Sequence, residues 1–311
     1  MTQLLVQPDD GSGPLLEAFD SARRRLDLYV FRLDDRRVDD ALERAVRRGV
    51  AVRALVAHTR RGGAFALRKL ESRLRKIGVD VSRSDNDLQR YHGKMAIVDD
   101  RRLLVLGYNF TRRDMEHSRS FGLILEDKRV IAQAREMYEA DFNRRAWVPE
   151  HGALVVSPFN SRAVLARLIQ QARRQILNYD KRLSDELMLR LIEKQARAGV
   201  EVRVIGTVQR RLKGVAAAPF PGRLHVRAII QDGRRLFVGS QSLRQAELDE
   251  RREIGAVVST DREVARALRV FQTDWAASQK GRPSRERKLA PPRVPAPVDH
   301  RSRWRRLIDG R

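Results

Sequence analysis

The chain of 311 residues contains no cysteine, which excludes disulfides, thiolate metal sites and cysteine nucleophiles and leaves the redox compartment unmarked. Long apolar runs are also missing. The richest, RLLVLG from Arg102 and FGLIL from Phe121, fall far short of the roughly 20 residues a membrane-spanning helix needs, and they read as buried strands. The opening MTQLLVQPDDGSG lacks the basic start and apolar core of a secretory signal. A soluble cytoplasmic protein is expected, with peripheral attachment at a membrane face as an extension of that reading. Aromatics are sparse at 6%, which argues against a single-strand binder built on base stacking.

Positive charge is abundant. The formal net charge of +24 favours anionic partners, an acidic membrane surface or nucleic acid, without choosing between them. Only nine of the 64 basic residues are lysine, a skew that reads as a bias of the whole coding sequence rather than a binding device. The charge is densest from Gln279 to Arg311, where 11 basic residues and five prolines predict a disordered tail, with one short helix at Trp304–Ile308.

The chain repeats itself. Residues 4–56 match 154–206 at a constant offset of 150: Pro8 with Pro158, Leu15 with Leu165, Ala22 with Ala172, Tyr29 with Tyr179, Gly49 with Gly199. Each copy reads strand, helix, strand, helix, strand. Leu15, Phe19, Ala22 and Leu26 fall at helical spacing, as do Leu165, Ile169, Ala172 and Ile176, and a glycine closes each second helix. Alternating strands and helices predict an α/β layer architecture, organised as residues 1–148, 149–278 and a tail over 279–311. The first copy carries an additional basic, helix-like segment, Arg60–Ile77, that either overhangs a site or decorates the surface.

The next landmark recurs at an offset of 133. YHGKMAIVDDRRLLVLGYN from Tyr91 and LHVRAIIQDGRRLFVGSQS from Leu224 both read as hairpins. A turn centred between residues 100 and 101 sets His92 opposite Asn109, and pairing around 233 and 234 sets His225 opposite Ser242. Residues two apart on a strand share a face, so His92 and Lys94 project together, as do His225 and Arg227. An imidazole, a cation and a short polar group suit a phosphodiester, whose non-bridging oxygens need positive charge and donors while the imidazole attacks or donates a proton. No acidic cluster of the kind that holds a divalent cation stands beside either histidine, and no cofactor is expected.

His92, Lys94, Asp99 and Asn109, with His225, Arg227, Asp232, Ser240 and Ser242, resemble the doubled His-x-Lys-x4-Asp signature and Gly-Ser-x-Asn-like stretch of the phospholipase D superfamily over residues 1–278. Glu253 stands where that family often has Asn-x-Glu. The resemblance implies two tandem domains, each a mixed β-sheet flanked by helices, related by a pseudo-twofold axis and sharing one site in a monomer. It implies that one histidine forms a phosphohistidine while the other protonates the leaving alcohol, with His92 assigned as nucleophile and His225 as acid. By the same resemblance Asp99 and Asp232 orient the site, and Ser240 and Ser242 contact phosphate. Arg227 for lysine, Ser242 for asparagine and Tyr108 for serine depart from the pattern. Three functions fit: a phospholipase D-like or cardiolipin-synthase-like enzyme acting on anionic phospholipid, which the Ser157–Arg162 run (SPFNSR) favours; a nuclease; and an anion-binding protein whose second copy has decayed.

Overall fold

The computed structural model describes residues 1–58, 63–149, 152 and 154–280. Of the predicted tail, Gln279 and Lys280 still belong to the helix Asp261–Lys280, while residues 281–311, with the helix expected at Trp304–Ile308, lie outside the described residues, as do Arg60 and Arg61.

In the first half, β1 (Thr2–Gln7), α1 (Gly13–Asp20), β2 (Arg25–Val30), α2 (Arg36–Arg47), β3 (Ala51–Val56), α3 (Ala64–Lys76) and β4 (Asp80–Arg83) precede a short β5 (Arg90–Tyr91). The hairpin β6 (Met95–Val98) and β7 (Arg102–Leu106), then α4 (Arg112–Glu116), β8 (Ser120–Leu125) and α5 (Lys128–Phe142), complete it. The second half repeats the plan with β9 (Val155–Val156), α6 (Ser161–Gln170), β10 (Gln175–Leu183), α7 (Glu186–Arg197), β11 (Glu201–Val208) and β12 (Val215–Ala218). It ends with β13 (Ala228–Gln231), β14 (Arg235–Gly239), α8 (Gln245–Asp249), β15 (Arg251–Arg252), β16 (Ile254–Val258) and α9 (Asp261–Lys280). Each half forms a seven-stranded mixed sheet, β1-β8-β7-β6-β2-β3-β4 and its counterpart β9-β16-β14-β13-β10-β11-β12.

Alternation along the strands divides the core. Met95 and Ile97 face a central cluster shared by both halves, while Ala96 and Val98 face a cluster confined to the first half, under α1 and α2. The central cluster draws Leu4, Phe121 and Leu123 from one sheet, Leu177, Ile230 and Val238 from the other, and Met137 and Phe271 from α5 and α9. Gly107 belongs here for a steric reason: a Cβ on it would lie 2.9 Å from the Gly239 carbonyl oxygen of the opposite sheet.

Two local readings need correction. Ala22 and Leu26 are buried but not helical, because α1 stops at Asp20 and Leu26 already lies in β2; Ala172 and Ile176 repeat this in the second half. The hairpins are also shifted by one residue. Val98 pairs with Arg102 and Gln231 with Arg235, so each turn spans three residues rather than two, and His92 does not lie opposite Asn109. The cause is Asp99 (φ +52°) and Asp232 (φ +55°), which leave the hairpin in left-handed conformations. Asp99 accepts hydrogen bonds from the backbone N–H of Arg23, Arg24 and Arg25, and Asp232 from those of Arg173, Arg174 and Gln175.

Candidate active site

Each histidine is carried by its own half but docked on the other. Residues Arg90 and Tyr91 of β5 pair in parallel with Arg251 and Arg252 of β15, and the N–H groups of His92 and Gly93 then donate to the Arg252 carbonyl at 2.8 and 2.9 Å. His225 mirrors this by donating its N–H to the Arg119 carbonyl at 2.9 Å. The two arginines that present these carbonyls are themselves locked across the halves. Arg252 forms two hydrogen bonds of 2.9 Å to Asp141, which also accepts from Tyr29, and Arg119 pairs at 2.9 Å with Asp274, which accepts from Tyr179. The offsets 150 and 133 relate every member of these two triads, so the twofold of the repeat runs through the site.

The side chains follow the same exchange. His92 Nδ1 lies 2.8 Å from the buried carboxylate of Glu253, and His225 Nδ1 lies 3.3 Å from Asp114. At His92 a carboxylate accepting from Nδ1 fixes the tautomer and leaves Nε2 unprotonated, whereas His225 Nδ1 faces Asp114 without a hydrogen bond. Lys94, fully buried, places Nζ 3.0 Å from each ring nitrogen of His92, and the Arg227 Nε donates to Ser242 Oγ at 3.2 Å. Asn109 donates both its backbone N–H and its side-chain amide to Asp114, at 3.0 and 2.6 Å.

Burial depresses both imidazoles below the usual histidine range, with Lys94 and Arg227 adding to the effect at His92, and Arg227 at His225. Asp114 opposes this at His225. Burial likewise pushes the Lys94 ammonium down to about 7 against the pull of Glu253. Glu253 is pushed up by its own burial, while for Asp114 the burial effect is outweighed by His225, the Asn109 N–H and Arg223.

The structure therefore gathers His92, Lys94, Asn109, His225, Arg227 and Ser242 into one cluster. It does not gather Asp99 and Asp232, which sit at the far ends of the hairpins, spent on backbone amides, and Ser240 stands behind the cluster, fully buried with its hydroxyl on the main chain of Ile254 and against the Glu253 carboxylate. The Ser157–Arg162 run is also structural, since Arg162 is bound by Asp185 and Asp249.

Asp114 was not legible as a site residue. The position equivalent to Glu253 in the first half is Ser120, so the carboxylate serving His225 comes from a different place in the repeat. A signal did exist: an acid follows each histidine by 22 residues, Asp114 and Glu247, and each accepts the backbone N–H of the short polar residue of its own copy, Asn109 or Ser242. Asp180 is a further buried acid, standing where the first half has Val30; it accepts the Leu243 N–H at 2.7 Å and is pushed up to about 6 by burial against the pull of Arg227. Among the described residues no group of three or more His, Cys, Asp or Glu is placed to hold a metal ion, and no helix is long and apolar enough to cross a membrane.

A duplicated α/β chain whose histidines are each completed by the opposite copy defines a protein with one composite imidazole site built from two half-sites. The family described as "Cardiolipin synthase, PLD-like domain" matches it twice, over residues 15–143 and 154–275, and the chain belongs to this phospholipase D-like family. It is similar to the mitochondrial cardiolipin hydrolase of Canis lupus familiaris, with 32% identity over 128 residues, covering 40% of this chain and 48% of the relative. The chain thus spans about half the length of the curated relatives it matches. Two solved structures share the fold. The polyphosphate kinase of Porphyromonas gingivalis aligns over 88% of this chain and 47% of its own with a TM-score of 0.74 at 16% identity. The phosphatidylserine synthase of Haemophilus influenzae Rd KW20 aligns over 89% and 86% with a TM-score of 0.66 at 9% identity.

Proposed function

We propose that this chain is a phosphodiesterase-type enzyme that cleaves or exchanges the headgroup of a phospholipid by double displacement. The observation that carries the reading is the pair of imidazoles, each with a carboxylate of the other half at Nδ1 and a buried cation beside it. Nε2 of neutral His92 attacks phosphorus, the bond to the leaving oxygen breaks, and the imidazolium of His225 gives that oxygen its proton. Lys94 and Arg227 hold the non-bridging oxygens as charge redistributes. Water or an alcohol, deprotonated by His225, then displaces His92 and restores both groups. Glu253 suits His92 to the nucleophile's role by holding one tautomer at 2.8 Å; at His225 Asp114 opposes the depression that burial and Arg227 impose, and the negative charge of the bound diester adds to that pull, so His225 takes up its proton with the substrate.

The retained partners in the second half support an active rather than a decayed copy: Arg227 has Ser242 and buried Asp180 in attendance, and Ser242 has Glu247. The test is to incubate the protein with labelled phosphatidylglycerol, phosphatidylcholine and single- and double-stranded DNA beside His92→Ala. Headgroup release or lipid exchange by the wild type alone is the expected result. Nicked DNA with no lipid turnover moves the reading to a nuclease, and an inert wild type removes the catalytic claim.

A further inference from the structure

The second histidine segment alternates between core and cavity. Val226 is buried in the central cluster and Leu224 packs against it, whereas Arg223, His225 and Arg227 meet at a cavity of about 640 Å³ whose wall also includes Ser242. Arg223 stands as far before the imidazole as Arg227 stands after it, and Arg90, His92 and Lys94 repeat the spacing in the first half.

The cations of the two copies are not used alike. Lys94 places its ammonium 3.0 Å from both ring nitrogens of His92, but Arg227 gives Nε to Ser242 Oγ and Nη1 to the His225 carbonyl, both at 3.2 Å. Among the described residues no cation hydrogen-bonds the His225 ring. Arg223 has donors to offer beside it. Its Nη1 donates to Asp114 Oδ1 and to Ser118 Oγ, which pins the guanidinium, while the side chain remains 33% exposed at the cavity. Nε and Nη2 have no acceptor among the described residues. These two groups form the edge with which Arg37 grips Asp35 and Arg252 grips Asp141 in the same chain. That planar edge matches the paired oxygens of a carboxylate or a phosphate equally well. Asp114 thus serves two groups at once, fixing Arg223 through Oδ1 and facing His225 Nδ1 at 3.3 Å through Oδ2.

We infer that Arg223 is a third phosphate-binding cation of the site: its Nε–Nη2 edge donates to the non-bridging oxygens of the diester beside His225, while Asp114 holds its other end. This rests on the reading of His92 and His225 as the pair that works on phosphorus. A guanidinium already held at one nitrogen loses little freedom when the anion arrives, so more of the contact is expressed as affinity. Arg227, with Nε and Nη1 committed, has Nη2 left for the same oxygens.

The experiment titrates the full chain with inorganic phosphate by calorimetry at pH 7 and follows turnover of bis(4-nitrophenyl) phosphate in parallel. Arg223→Gln is expected to weaken phosphate about tenfold through the loss of charge-assisted hydrogen bonds. Because that substitution also deprives Asp114 of its partner, it is repeated in the Asp114→Asn protein, where no carboxylate is stranded, and the tenfold loss should persist there. An arginine that merely braces Asp114 would have no effect in that background. No phosphate binding by the wild type, unchanged affinity in folded Arg223→Gln, or a loss that disappears with Asp114→Asn overturns the inference, and wild-type turnover of the diester then leaves the phosphodiesterase reading intact. A wild type that binds phosphate through Arg223 but turns over no diester overturns that reading and keeps Arg223 as an anion ligand.

Discussion

His92 and His225 were prominent in the sequence because the motif around them is doubled, yet their division of labour rests on carboxylates 161 and 111 positions away in the chain. Removing either imidazole should therefore have different consequences. His92→Ala is expected to abolish turnover and any trapped phosphoenzyme. His225→Ala should lose about 10²–10⁴-fold with alkyl leaving groups and much less with 4-nitrophenol, which departs without a proton. Measuring both variants on alkyl and aryl diesters checks the assignment, and a reversed pattern would exchange the roles. The pH dependence follows from the buried cation. Lys94, at about 7, is charged below that pH and neutral above it, so kcat/KM should fall as pH rises through 7, whereas neutral His92 persists well into acid. Anion binding reverses the field at His225, so titrating inorganic phosphate near pH 7 in two buffers of different ionisation enthalpy should show proton uptake that is lost in His225→Ala. Asp99 and Asp232 belong to stability instead. Their carboxyls are held below the ordinary range by backbone N–H groups that outweigh the opposing effect of burial, so their contribution is complete above the unfolded value near 4 and lost as pH falls through the folded one. Asp99→Ala should lower stability by about 2 kcal/mol by urea denaturation at pH 7 while kcat changes little.

The elements were readable wherever one local rule acted alone. Each second helix opens on an aspartate, Asp35 or Asp185, whose side chain accepts a backbone N–H in the first turn, and closes on a glycine with positive φ, Gly49 (+83°) or Gly199 (+91°). Alanine at Gly49 meets nothing within 4 Å, so only backbone strain remains, and thermal unfolding should register a loss of about 1 kcal/mol. Gly93→Ala is a contrasting case. Its Cβ would lie 2.4 Å from Ile254 Cδ1 of the opposite half, so the Ile254 side chain or the backbone that presents His92 must give way; a fall in activity larger than the fall in stability is expected if the His92 backbone moves. Neither the hairpin slip nor this close approach was available from spacing. Both are set by contacts between segments remote in the chain: the Asp99 carboxylate with Arg23–Arg25, and the first histidine loop with β16.

At the level of the whole molecule, the repeat predicted two domains, but the physics of the interface makes them poor candidates for independent folding. The largest hydrophobic cluster takes strands from both sheets, so separating the halves would expose apolar side chains such as Phe121, Leu123, Tyr179 and Phe271. Each half also leaves a buried charge uncompensated without the other, Asp141 lacking Arg252 and Asp274 lacking Arg119. The described residues, through Lys280, form one compact unit accordingly. A single cooperative unfolding transition is expected, and residues 1–148 expressed alone should fail to give a dispersed, cooperatively folded protein. The sharper test is Arg252→Ala. It strands the Asp141 carboxylate among buried groups, which typically costs about 3–5 kcal/mol, and it loosens the strand pairing whose carbonyl receives the His92 and Gly93 N–H groups. Arg252→Ala with Asp141→Asn removes the stranded charge and should recover much of the stability. If activity recovers with it, the latch acts through folding alone; if stability returns while kcat stays low, the same salt bridge that joins the halves also aims His92.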